Sequence, residues 1–140
     1  MHTNTSGRTE AFEDALSSIS SIGSSDRTVL ITYAYFETPL SKKNLQFFIN
    51  NGVFKSSTAH YHFIIKGTAC SVHIPQQANI SVFNMVNKGY DFAAYAYSIE
   101  QAKMQYSCYM FLNDTVLGPF VPRYVPKSCW YSLFTNLINI

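Results

Sequence analysis

Two rhythms of apolar and polar positions alternate along this chain. Thr28–Phe36 (TVLITYAYF) is an unbroken apolar, β-branched and aromatic run without a charge. It is short for a helix and reads as a central strand buried on both faces. Glu37-Thr38-Pro39 breaks the run, because Pro39 turns Thr38 away from helix. Ser41 is placed to cap a helix over Lys42–Asn51, with Leu45, Phe48 and Ile49 on its inner face and Gly52 as its stop. Ala59–Ile65 (AHYHFII) is a second strand closed by Lys66-Gly67, and Asn79–Asn84 (NISVFN) a short third one. A helical period returns from Tyr90 to Met104, where Phe92, Tyr95, Ala96 and Ile99 form one stripe predicted to face the sheet. Tyr106–Leu112 (YSCYMFL) is a fourth strand, apolar enough to be read as central. After Pro119, Pro122 and Pro126, Ser128 is placed to cap a last helix through Trp130, Leu133, Phe134, Leu137 and Ile138. The order β-α-β-β-α-β-α predicts an α/β fold, a mostly parallel central sheet flanked by helices.

Residues 1–27 follow neither rhythm. They are rich in Ser, broken by Gly7 and Gly23, and read as a flexible tail with a weak helical turn around Phe12, Ala15, Leu16 and Ile19. Residues 28–140 are then the globular domain. Of the 140 residues, 47% are hydrophobic and 13% charged, which excludes a disordered chain. The net charge of +2 is unclustered, with Lys42-Lys43 the only adjacent basic pair. Without a basic stripe, nucleic acid is not an expected partner. Cys70, Cys108 and Cys129 have neither disulfide-scaffold nor zinc spacing, so free thiols are expected. No apolar run reaches membrane-spanning length and no basic-then-apolar leader is visible, so no membrane span and a cytoplasmic location are expected.

Two polar phrases follow β-rich runs and bracket the second helix: Asn87-Lys88-Gly89-Tyr90-Asp91 and Asn113-Asp114-Thr115-Val116-Leu117-Gly118-Pro119. In an open α/β sheet, ligands bind beyond the carboxyl ends of the strands, where both phrases are predicted to sit. Gly89 suits a turn with positive φ, and the helix that follows offers unpaired N–H groups to an anion. The carboxylate of Asp91 is suited to accept from a ribose or sugar hydroxyl. Asp114 is suited to hold a divalent cation, with Asn113 and Thr115 as neutral neighbours. The same residues also suit plain structure: Asn87 and Asp91 as helix caps, Asn113-Asp114-Thr115 as an Asx turn. His60 and His62 share one strand face without a third ligand at metal spacing, and read as a satisfied pair.

The pattern Asn-x-Gly-x-Asp followed by Asn-Asp-Ser/Thr-x-x-Gly-Pro resembles the rhamnan synthesis protein F family and, more generally, GT-A glycosyltransferases. The resemblance spans roughly residues 28–138, and its second motif is the distinctive one. It implies the nucleotide-binding half of a GT-A domain, a nucleotide-activated sugar as donor, and transfer to a glycan or other acceptor. It implies donor-binding roles for Asn87, Gly89, Asp91, Asn113, Asp114 and Thr115, and a divalent cation (Mn²⁺ or Mg²⁺) at Asp114. Thr32 and Tyr33 would approach the nucleotide base. Apart from the resemblance, Arg123 and Lys127 flank the proline-rich loop and suit a diphosphate or a solvated loop equally. Asn113 stands where many metal-dependent members carry a first Asp, so one carboxylate remains in the motif. The strands that would form an acceptor half and a catalytic base do not follow within the sequence. Two expectations result: a glycosyltransferase, whole or truncated, and a non-catalytic binding module derived from the same fold. A flank left bare by the absent half would invite self-association.

Overall fold

The computed structural model of the protein describes residues 27–138; the segment read as a tail, apart from Arg27, lies outside the described residues. Strands β1 (Val29–Tyr35), β2 (Ala59–Lys66), β3 (Ile80–Met85) and β4 (Cys108–Asn113) form a four-stranded sheet of order β3-β2-β1-β4. Every pairing in it is parallel. Helix α1 (Pro39–Gly52) joins β1 to β2, and helix α2 (Tyr90–Gln101) joins β3 to β4. A 3₁₀ turn (Lys127–Cys129) and a short helix α3 (Ser132–Thr135) follow β4. The α/β fold expected from the sequence is therefore present, and the winding of the sheet reverses between β1 and β4.

All of β1 is buried, because each face of it is covered. Val29, Ile31, Tyr33 and Tyr35 pack with Leu45, Phe48 and Ile49 of α1 and with Tyr61, Phe63 and Ile65 of β2. On the opposite face Ala34 and Ile64 pack on Ala94 of α2. Alternation along a strand and a helix on either side account for this division. Trp130 anchors the C-terminal segment as expected: its ring lies edge-on to Phe48 and its Nε1 donates to the Gly52 carbonyl at 2.7 Å. The Tyr61 hydroxyl donates to the same carbonyl at 2.9 Å.

Four expectations are corrected. Strand β4 is not central but lies at the edge of the described sheet, with its Tyr109 and Phe111 exposed. The α1 cap is Thr38, with Ser41 as the third helical residue of a reciprocal capping box, so the helix begins at Pro39. Gly52 belongs to the helix; a Cβ there would meet the Pro119 ring at 2.8 Å and the Phe48 ring at 2.9 Å, so the glycine provides a close approach.

The fourth correction concerns α2. Its buried sheet-facing residues are the small Ala94 and Ser98; of the predicted stripe only Tyr95 packs on the sheet, while Ala96 and Ile99 are exposed and Phe92 is 81% exposed. The reason is local. The sheet face below presents Thr32 and His62, and Ser98 bonds to both, at 2.6 Å to Thr32 Oγ1 and 2.9 Å to His62 Nδ1. A hydroxyl network at close range selects small residues over bulky ones. The stripe predicted beyond Trp130 is likewise largely exposed at Phe134 and Leu137. Stability measurements separate the two readings of α2. Phe48→Ala should cost about 3–5 kcal/mol in urea unfolding, as a buried aromatic truncation does. Phe92→Ala should stay within about 0.5 kcal/mol of the parent; a loss equal to that of Phe48→Ala would mean that Phe92 is core.

Candidate functional site

The carboxyl ends of β1, β2 and β4 bring together side chains that are far apart in sequence. Register puts Asn113 opposite Ala34, so its side chain leaves the sheet on the α2 face. Lys66 ends β2 on that same face, as the alternation through Ile64 requires. Asp91, in the first turn of α2, reaches both. Its Oδ2 accepts from Asn113 Nδ2 at 3.2 Å, and its Oδ1 lies 3.9 Å from Lys66 Nζ. Asp114 sits one residue beyond β4, at the crest between the two faces. Its Oδ2 accepts from the Phe36 N–H at 2.7 Å, and its carbonyl oxygen accepts from Asn44 Nδ2 at 2.8 Å. The exits of β1 and β4 are thereby tied together across the point where the winding reverses.

Several sequence readings are decided by this geometry. Asp91 does not cap α2; the N-cap is Gly89, at φ 75°, without a side-chain cap bond. A Cβ on Gly89 would meet Ala93 Cβ at 2.7 Å, so both conformation and space require glycine there. Asn113 does form the anticipated turn, its Oδ1 accepting from the Thr115 N–H and from Thr115 Oγ1 at 2.6 Å. It also makes the long-range bond to Asp91, so the turn and the cluster share one residue. Thr115 itself is engaged locally. Asn87 is exposed and has no side-chain hydrogen bond among the described residues, so it stays apart from the cluster. Thr32 is fully buried against Ser98 and cannot touch a ligand at the edge, while Tyr33 lies beneath it, on the α1 face. Arg123 and Lys127 are exposed and make no ion pair among the described residues.

The charges are coupled. Burial holds the Asp114 carboxyl above the usual carboxylate range, the Asp91 charge adds to the effect, and the Phe36 N–H and Lys66 oppose it. Burial and the same two carboxylates push the Tyr95 phenol up to about 12, so it remains a hydrogen-bond donor at neutral pH. Tyr95 stacks on Phe111 with centroids 4.7 Å apart and walls the α2 side of the edge. Glu37 is also at the edge, but it is held below its usual range first of all by bonds from Ser71.

On the α1 side, an apolar cavity of about 260 Å³ opens between Leu112, the 116–121 loop and Trp130, with Asn113 on its rim. Lys66, Tyr95 and Tyr90 are the edge residues that the sequence reading passed over or undervalued. Tyr90 is a non-glycine residue at φ 55°, a strained conformation that presents its ring to solvent beside the cluster. In the sequence Lys66-Gly67 suits an ordinary strand-ending turn better than a phosphate contact, Tyr90 lies within the first polar phrase, and Tyr95 within the stripe predicted to face the sheet.

The expected histidine pair is satisfied by hydroxyls: His62 by Ser98, and His60 by Tyr106 at 2.5 Å. No cluster of three or more His, Cys, Asp or Glu suited to a metal occurs among the described residues. The three cysteines are free, and no described helix is long and apolar enough to cross a membrane. No protein-family profile, curated protein or solved structure matches this chain.

The coupling of Asp114 has a sign that can be measured. The folded chain binds the Asp114 proton more tightly than the unfolded chain does. This contribution therefore weakens the fold as pH rises from the ordinary Asp range through the raised value, and is absent below both. Carbon-13 NMR of the side-chain carboxyl should show Asp114 titrating above an ordinary Asp, and Asp91→Asn should lower it. An unchanged titration in that variant would mean that the two carboxylates do not interact.

Proposed function

We propose that this chain binds a nucleotide-activated sugar at the β1/β4 edge and serves as the donor-binding part of a GT-A-type glycosyltransferase. The observation that supports this reading best is the junction of the two polar phrases: Asn113 bonded to Asp91, with Asp114 beside it at the switch point. In this reading Asp91 and Asp114 accept from hydroxyls of the ribose or the sugar, and Gly89 opens the first turn of α2 toward the phosphates. Tyr90, held outward, offers a ring to the base. The reaction class is glycosyl transfer to a glycan or other acceptor.

A divalent cation, implied by the resemblance, finds a poor donor set. Both oxygens of Asp91 face Asn113 and Lys66, and one oxygen of Asp114 faces Phe36. Asp114 Oδ1 has no donor from another described residue, and Asp91 Oδ1 has only the Lys66 ammonium at 3.9 Å. Hard cations can work with one or two carboxylates plus substrate phosphates, but the ammonium of Lys66 already lies among them.

The same engagement favours a second reading. One oxygen of each carboxylate is taken by a structural hydrogen bond, as expected of a binding module that holds the donor without transferring it. Calorimetry against a panel of nucleoside-diphosphate sugars tests binding, and release of the nucleotide in the presence of glycan acceptors tests transfer. Asp114→Asn, which retains an acceptor for the Phe36 N–H, should weaken donor binding about tenfold, or about 1.4 kcal/mol. Unchanged affinity would remove Asp114 from the site, and an absence of binding across the panel would end the reading.

A further inference from the structure

The metal is the component of the proposed site that these residues suit least, and Lys66 is the component the proposal has not yet used. The Lys66 side chain is only 7% exposed, at the end of β2 on the face occupied by Asp91 and Asn113. Burying an ammonium is costly unless it is paired and hydrogen-bonded. Its one ion pair among the described residues is to Asp91 at 3.9 Å, well beyond the 2.7–2.9 Å typical of a charge-assisted hydrogen bond. An ammonium carries three donors, and Lys66 Nζ gives none of them to an acceptor within hydrogen-bond distance among the described residues. Its stem is thus buried, and its incompletely partnered ammonium emerges at a ligand edge.

We infer that Lys66 supplies the positive charge that this edge offers to a phosphate group, in the place where metal-dependent sites carry a divalent cation. The inference rests on the donor-binding reading and names the group that contacts its phosphates. The division of labour follows from the charges. Asp91 and Asp114 repel phosphate oxygens but accept well from hydroxyls, so they face the sugar or ribose. Lys66, together with the unpaired N–H groups of the first turn of α2, faces the phosphates. A dication bound between the carboxylates would meet the like charge of the Lys66 ammonium, which opposes it. A phosphate oxygen would complete the partners that Lys66 lacks.

The test is calorimetry on the full chain with two probes, inorganic pyrophosphate and a panel of nucleoside-diphosphate sugars, each in EDTA and in excess Mn²⁺. Binding should be equally tight with and without metal. Lys66→Met, which keeps the length of the buried stem, should lose at least tenfold in affinity in EDTA. Lys66→Arg should retain most of it, and both variants should show cooperative unfolding that establishes the fold. A parent protein that gains tenfold or more from Mn²⁺ overturns the inference while leaving the donor-binding reading intact, as does a folded Lys66→Met that binds like the parent. Lys66-dependent binding of pyrophosphate without any sugar nucleotide upholds the inference and removes the sugar donor. Binding of neither probe ends both.

Discussion

One side chain holds the candidate site in shape. Asp114 accepts from the Phe36 N–H through its carboxylate and from Asn44 through its carbonyl, so the exits of β4 and β1 and the body of α1 meet in a single residue. The bonds are made where the winding of the sheet reverses, the place where open α/β sheets bind their ligands. The carboxylate sits there against its own ionisation preference, since burial and the neighbouring Asp91 both favour the protonated form. A purely structural turn could use Asn at this position without that cost.

The rest of the edge follows from two alternations. Parity along β1, β2 and β4 sends Ala34, Ile64, Lys66 and Asn113 to the α2 face, and Tyr33 and Leu112 to the α1 face. The polar cluster and the apolar cavity are therefore separated by the thickness of one sheet, with Asp114 on the crest between them. Gly89 then sets the angle at which α2 starts, which is what lets Asp91 reach across to the end of β4.

Much of this was legible in the chain. The uncharged run Thr28–Phe36 announced a strand buried on both sides, and the two polar phrases announced the strand ends that hold Asp91, Asn113 and Asp114. What periodicity could not convey was which residues of α2 touch the sheet. An apolar stripe was a reasonable guess until Thr32 and His62 are seen beneath the helix, where a serine bonded to both fits and a phenylalanine does not. Nor could an apolar strand reveal its place in the sheet: β4 carries no charge, yet it lies at the edge with Tyr109 and Phe111 exposed. Lys66 was hidden for a different reason. A lysine before a glycine is an ordinary strand ending, and only its burial beside Asp91 makes it unusual.

The central claim is that ligand recognition occurs where β1 and β4 diverge. Amide chemical-shift mapping during titration with a nucleoside-diphosphate sugar tests it most directly. The largest changes are expected at Phe36, Gly89, Tyr90, Asp91, Asp114 and Thr115, with little at the opposite end of the sheet around His60, Lys103 and Tyr106. Perturbations concentrated around that histidine end, with the switch-point amides unmoved, would contradict the account.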